Sequence, residues 1–286
     1  MPNPLAETFR QAAGLNSADS RRQGNVLSLA AGCDVIVSGD VHGHRRNLTR
    51  IITYADLGKH PDRRLILQEI VHGPPDRGTG QDRSIEALLR AARLKIAHPN
   101  QVVLLLGNHD VAQITGSEIT KAGRGVCEAF GKGVEYACGA NDAPEVLEAV
   151  KQYLLSQPLA VRCPGAVLIT HSLPSPRKMR LAGSLIPGEA YCPENLRRGG
   201  KVYEWTWGRG QTAKQIERLA DRLGVEFFIL AHRHIETGYE IISRRAIALT
   251  TEHDRGCIMQ FSSDATMTDE TVAQHIKPVV ALTRGS

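Results

Sequence analysis

Two periods alternate along this chain. Cys33-Asp34-Val35-Ile36-Val37, Leu65-Ile66-Leu67, Val102-Val103-Leu104-Leu105-Leu106, Ala166-Val167-Leu168-Ile169 and Phe227-Phe228-Ile229-Leu230 are short apolar runs rich in branched or aromatic side chains. Continuous runs of that length read as strands buried on both faces. Between them the apolar positions recur at helical spacing. Leu5, Phe9 and Ala12-Ala13 mark a helix over 5–13, and Ile85, Leu88, Leu89, Ala92 and Ile96 line one face of a helix over 82–97. Further helices are predicted over 47–54, 143–156 and 211–223, the last with Ile216, Leu219 and Leu223 inward, and a short one over 23–30 that stops at Gly32. Helices between strands at this spacing imply crossover connections and a largely parallel core sheet. The alternation around Ala246-Ile247-Ala248-Leu249 and Gly256-Cys257-Ile258-Met259-Gln260-Phe261 predicts a closing antiparallel hairpin.

The same pattern divides the chain. With 286 residues it reads as one α/β domain, with a helical N-terminal extension over 1–32 and a loosely held tail over about 275–286. The stretch over about 174–210 is rich in Pro, Gly and Arg and ends near Trp205 and Trp207. It reads as a cap or loop excursion, its tryptophans packing it to the body, and not as a second domain. Composition changes this picture little. The apolar fraction of 42% and charged fraction of 23% are those of a soluble globular protein. A net charge of +5, with arginines scattered along the chain, favours anionic substrates in a general way and argues against specific nucleic-acid binding. No segment has the length and apolarity of a membrane span or a leader peptide. Cys33, Cys127, Cys138, Cys163, Cys192 and Cys257 form no close pair. They read as reduced thiols in a cytoplasmic protein.

The candidate chemistry sits where strands end. Gly39-Asp40-Val41-His42-Gly43 and Gly107-Asn108-His109-Asp110 each follow an apolar run directly. A buried strand fixes the backbone, a glycine permits the sharp exit, and oxygen and imidazole ligands then converge at the carboxyl edge of the sheet. Two such exits in one domain point to more than one metal ion.

At these residues the chain resembles the calcineurin-like metallophosphoesterases, with the protein-phosphatase-like branch as the nearest match. Thr170-His171 after the fourth run and His232-Arg233-His234 after the fifth continue the family pattern in order, from about Cys33 to His234. The resemblance implies a four-layer α/β/β/α sandwich with mixed sheets and a small cap. The second family block departs from the pattern. An Asp normally ends its strand and bridges two metals, and Asp-Arg-Gly follows it closely. Anchored on Asp76-Arg77-Gly78, no aspartate holds the bridging place; anchored on Leu65-Ile66-Leu67, Glu69 holds it, with an insertion ending in Pro74-Pro75. The strand register is preferred because a strand end fixes a ligand better than a loop. Glu69 is then the bridging carboxylate and His72 the fallback ligand.

By that resemblance the chain is a phosphatase in which a water activated by two divalent ions attacks phosphate monoesters. Asp40, His42, His234 and Glu69 would hold one ion; Glu69, Asn108, His171 and His232 would hold the other. His109 would protonate the leaving group, oriented by Asp110 or Asp76, while Arg77 and, by a looser match, Arg209 would hold the phosphate. Manganese, iron, zinc and nickel all suit mixed nitrogen and oxygen ligands. The substrate is left open among a small phosphomonoester, a nucleotide and a phosphoprotein, as is the oligomeric state. The alternative is a non-catalytic ligand- or partner-binding protein on the same fold, prompted by the altered second block. His44, His60, His98, His253 and His275 match no motif and read as surface or structural residues.

Overall fold

The computed structural model describes residues 2–121, 123–179 and 190–283. Strands β1 (Arg22–Gln23), β2 (Val26–Ser28), β3 (Asp34–Asp40), β4 (Arg63–Gln68) and β5 (Val102–Leu105) come first. A small ribbon, β6 (Thr120–Lys121) and β7 (Arg124–Gly125), precedes β8 (Ala160–Arg162), β9 (Val167–Thr170) and β10 (Phe227–Leu230). The last are β11 (Tyr239–Ser243), β12 (Ala246–Leu249), β13 (Cys257–Ser262) and β14 (Ile276–Pro278). The longer helices are α1 (Pro4–Ser17), α2 (Arg45–Ala55), α3 (Ser84–Ala97), α4 (Asn108–Thr115), α5 (Val126–Cys138) and α6 (Ala143–Leu155). Three short ones, α7 (Pro176–Met179), α8 (Pro193–Leu196) and α9 (Lys201–Trp207), lead to α10 (Ala213–Leu223).

Two mixed sheets form the centre. The larger has the order β1-β2-β8-β9-β10-β12-β11 and the smaller β14-β13-β3-β4-β5. Within the smaller, β3, β4 and β5 are parallel and β13 is antiparallel to β3. Alternate residues of each strand face the other sheet: Val35, Val37, Ile66, Val103 and Leu105 share one apolar layer with Val167, Ile169, Phe227, Ile229, Ile247 and Leu249. The intervening residues Ile36, Leu65, Leu67 and Leu104, and Leu168, Phe228 and Ala248 on the other sheet, join the outer cluster with helical Leu48, Ile51, Leu88, Ile216 and Leu219. This is the expected α/β/β/α sandwich, and burial of both strand faces is why the runs show no alternation.

Four expectations are corrected. Residues 23–30 hold the β1–β2 hairpin instead of a helix, because β2 gains its ladder from β8, more than a hundred residues away. The 1–32 segment is therefore a helix plus the edge of the larger sheet. The runs at 246–249 and 257–262 do not pair as a hairpin: β12 lies between β10 and β11 in one sheet, while β13 lies against β3 in the other. The tail is tied down as far as β14, which pairs with β13 before a 3-10 turn over Val279–Ala281. In the cap, α7, α8 and α9 are short helices, Trp205 is buried and Trp207 stacks on Tyr203 at 5.3 Å between centroids. The part of the cap over 180–189 lies outside the described residues. Among the described residues, no helix is long and apolar enough to cross a membrane.

Candidate metal centre

Five strand ends deliver the candidate side chains to one point. β3 ends on Asp40 and turns through His42; β4 is followed at once by Glu69; β5 leads through Gly107 into α4, whose first residues are Asn108 and His109. β9 and β10 release His171 and His232. All seven side chains are buried. The turns are tight enough to hold His42, Glu69 and His232 in the left-handed region, at φ of 40°, 42° and 64°. That conformation costs roughly 1–2 kcal/mol for a residue with a Cβ, so the surrounding packing has to impose it. Gly39 and Gly107 make the close approaches. A Cβ on Gly39 would stand 2.3 Å from the Leu249 carbonyl, where the two sheets meet, and one on Gly107 would stand 2.5 Å from Glu69 Oε1.

Glu69 is the hub. Its Oε2 lies 3.5 Å from His42 Nε2, and its Oε1 lies 3.5 Å from His171 Nε2 and accepts the His109 backbone N–H at 2.7 Å. Each oxygen thus faces a different imidazole. Around His171 Nε2 cluster Asn108 Oδ1 at 2.9 Å and His232 Nδ1 at 3.2 Å, themselves 2.7 Å apart. Asp40 Oδ2 accepts the His232 N–H at 3.0 Å. Asp40 Oδ1 and His171 Nδ1, 3.5 Å apart, have no hydrogen-bond partner. One donor atom each from His42, Glu69 and His109, and one each from Asp40, Glu69 and His171, lie within 4.8 Å of one another.

The electrostatics call for positive charge here. Burial, reinforced by Glu252, holds the Asp40 carboxyl well above the usual carboxylate range, and burial plus Asp40 does the same to Glu69. Burial keeps His42 and His171 neutral, and with nearby Arg209 it pushes His232 down to about 3. Two buried carboxylates, an amide oxygen and neutral imidazoles, some without partners, are a donor set that fits divalent cations.

Other predicted residues fall elsewhere. His234, 74% exposed, lines the cavity beside the cluster with Nδ1 3.2 Å from Glu252 Oε1, and stands outside the donor groups. Asp76 and Arg77 lie on a turn: Asp76 accepts from Arg45 at 2.7 Å and from the Gly78 and Thr79 N–H groups, and Arg77 is exposed. This Asp-Arg-Gly is turn chemistry. Asp110 accepts the Gly107 N–H at 2.8 Å, holding the α4 entry from its first turn, and burial pushes its carboxyl up to about 7. Neither aspartate therefore orients the His109 ring. His72 does not join the ligand groups; its Nδ1 lies 2.9 Å from His109 Nδ1 and its Nε2 lies 2.9 Å from Gln113 Oε1. Arg209 donates from Nε to His232 Nε2 at 2.8 Å and from Nη2 to the His232 carbonyl at 3.2 Å.

Beside the cluster opens a cavity of about 360 Å³, lined by His42, His72, Pro74, Pro75, Lys121, Arg124, Val126, Ala129 and Glu252 among others. Lys121, Arg124, Glu252 and Gln113 went unseen in the sequence. Glu252 sits three residues past β12, the same strand-exit signal as Asp40, and Gln113 lies at i+4 from His109 on α4, a helix that the apolar pattern had not revealed.

No family model matches the chain. A serine/threonine-protein phosphatase of Caenorhabditis elegans is 25% identical over 230 residues, covering 74% of this chain and 46% of that protein. The chain thus spans about half the length of the curated relative it matches. A protein serine/threonine phosphatase from Saccharomyces cerevisiae, described as similar to human phosphatase PP5, shares the fold with a TM-score of 0.65 at 17% identity, over 90% of this chain and 81% of that one. A cold-active protein-tyrosine phosphatase of a psychrophilic Shewanella shares it with a TM-score of 0.56 at 14% identity, over 89% and 84%. The resemblance to the protein-phosphatase-like branch of the calcineurin-like metallophosphoesterases, first carried by four strand-end motifs, holds in sequence and in fold.

Proposed function

We propose that this chain, built on the protein-phosphatase-like fold, is a metal-dependent phosphoesterase that hydrolyses phosphate monoesters, with His109 as the general acid. The observation that carries the reading is the Glu69 carboxylate, one oxygen toward His42 and the other toward His171. A carboxylate placed so serves two cations, where an imidazole nitrogen with one lone pair serves one. Asp40, His42 and Glu69 would hold the first ion, and Glu69, Asn108, His171 and His232 the second. Two divalent ions so held, manganese, iron, zinc or nickel by their donors, supply an acidified water and offset the charge on the phosphoryl oxygens.

The protein's own groups supply the rest. Arg124 on the cavity wall, beside Lys121, whose Nζ pairs with Glu252 Oε2 at 3.3 Å, is the cation offered to an incoming phosphate in place of Arg77. Arg209 holds the His232 carbonyl, and its Nε–H, which here occupies the Nε2 lone pair, would give way when the His232 ring takes a cation, since a neutral imidazole has one lone pair to offer. Pro74, Pro75, Val126 and Ala129 give the cavity an apolar side that excludes water from the leaving group. Substrates bearing a phosphate, on a small molecule or on a protein side chain, belong to the same proposal. So does a cytoplasmic location, supported by six cysteines that all stand as free thiols.

The non-catalytic alternative draws on His234, which stands outside the donor groups and leaves the first ion one protein ligand short of the expected set. Turnover of p-nitrophenyl phosphate decides between them. The expected result is hydrolysis that requires added manganese or another divalent ion and stops with chelator. A protein that retains two ions and turns over nothing above the metal-only rate overturns the phosphatase reading.

A further inference from the structure

We propose that His72 is the positioning partner of His109, accepting the His109 Nδ1–H at its own Nδ1 and so turning His109 Nε2 to the reacting phosphate. The inference rests on the phosphatase reading above and adds the group that sets the geometry of its acid.

The direction of the chain follows from one atom. Gln113 Oε1 lies 2.9 Å from His72 Nε2, and an amide oxygen only accepts, so His72 carries its proton on Nε2. His72 Nδ1 is then a lone pair. At 2.9 Å from it, His109 Nδ1 has to be the donor. The tautomer of His109 is fixed by its neighbour, and the nitrogen left for chemistry is Nε2. Packing fixes the rings as well. His72 meets the edge of Phe130 at 5.8 Å and His109 at 5.1 Å between centroids, while His109 meets His42 at 4.6 Å. His72 is buried and held at φ of 62°, a left-handed conformation that only a specified contact makes worth keeping. The two aspartates available by sequence are both occupied elsewhere, Asp110 on the Gly107 N–H and Asp76 on Arg45. Burial pushes the His72 imidazole down to about 4, so it stays a neutral acceptor at physiological pH.

In the step served, the phosphorus–oxygen bond to the leaving group breaks with its electron pair on that oxygen. His109, its Nδ1–H kept on His72, takes a solvent proton at Nε2 for the step and gives it to that oxygen, while an attacking water forms the new phosphorus–oxygen bond and releases a proton to solvent. His109 ends neutral, with Nδ1–H still on His72.

The test uses the metal-loaded chain with two aryl esters. Phenyl phosphate needs its leaving oxygen protonated far more than p-nitrophenyl phosphate does. His72→Ala should lower kcat on phenyl phosphate about 100-fold, and on p-nitrophenyl phosphate by less than about tenfold, with metal content unchanged. His72→Gln, whose amide oxygen can accept from His109, should recover most of the loss. Equal losses on both esters, or loss of an ion in His72→Ala, would overturn the proposal, the second outcome making His72 a ligand. Nitrogen-15 NMR of the zinc-loaded protein reads the tautomers without turnover. Protons on His109 Nδ1 and His72 Nε2 are expected, and the reverse assignment overturns the pairing. Wild-type protein inactive on both esters defeats the phosphatase reading alone, and the NMR result still decides the pairing.

Discussion

The backbone N–H of His109 donates to Oε1 of Glu69 at 2.7 Å, joining the end of β4 to the start of α4. One bond thereby couples the proposed acid to the proposed bridge: the first turn of α4 aims His109 and, through its main chain, holds the carboxylate. Glu69→Gln keeps the shape and removes the charge. It should empty at least one of two ion positions and abolish nearly all turnover. Gly107→Ala tests the same spot sterically, since its Cβ would lie 2.5 Å from Glu69 Oε1. It too should lower metal content, in a protein that still folds. Two ions per chain in either variant, measured by elemental analysis, would remove Glu69 from the bridge.

Buried carboxylates without cations should cost stability. The folded pKa of Asp40 is raised by burial and by Glu252, so between its unfolded and folded values the native state binds more protons and stability falls as pH rises. At neutral pH the metal-free protein carries that penalty. Asp40→Asn should therefore raise the melting temperature of the chelated protein while abolishing metal binding, at about 2–4 °C per kcal/mol recovered. A lower melting temperature for Asp40→Asn under chelation would contradict this.

The sheet order divides what was legible in the sequence from what was not. The runs before Asp40, Asn108, His171 and His232 were readable because each strand is buried on both faces and each exit carries a ligand type. The β1–β2 hairpin was not, since Val26-Leu27-Ser28 takes its longer ladder from the distant Ala160-Val161-Arg162. Nor was the parting of β12 from β13, where Thr250 crosses between sheets and bridges to Asp40. Asp76-Arg77-Gly78 misled because an Asp followed by Gly two residues on also describes an ordinary turn. His72, taken as a spare ligand, needed the position of Gln113 to be understood.

The corrected positions make their own prediction. His234→Ala removes a 74% exposed ring that lines the cavity beside Glu252 and His253 but stands outside the donor groups, and it should change metal content and kcat by less than about twofold. Arg77→Ala should likewise leave the Michaelis constant for phosphate esters unchanged. Arg124→Ala, on the cavity wall, should raise it about tenfold with kcat nearly constant, the signature of lost uniform binding. If Arg77→Ala raises the constant and Arg124→Ala does not, the phosphate enters from the other side.

Away from the site, Lys95 gives a test of the fold itself. Its side chain is 2% exposed and donates to the carbonyls of Pro99 at 2.7 Å and Val102 at 3.0 Å, with Asp19 Oδ2 at 4.0 Å. Burial outweighs the help from Asp19 and pushes its pKa from 10.5 to about 8. From pH 8 to 10.5 the unfolded chain holds more protons at this position than the folded one, so stability should rise with pH across that window. A difference of that size corresponds to about 3 kcal/mol when fully expressed. Below the window the penalty of the buried charge is constant. Lys95→Met removes the titrating group, so its urea midpoint should change less between about pH 8 and pH 10 than that of the wild type. Other groups titrating there cancel in the comparison. Parallel midpoints for the two proteins would show that Lys95 keeps its proton as readily when folded as when unfolded, and that its carbonyl cradle fully replaces water.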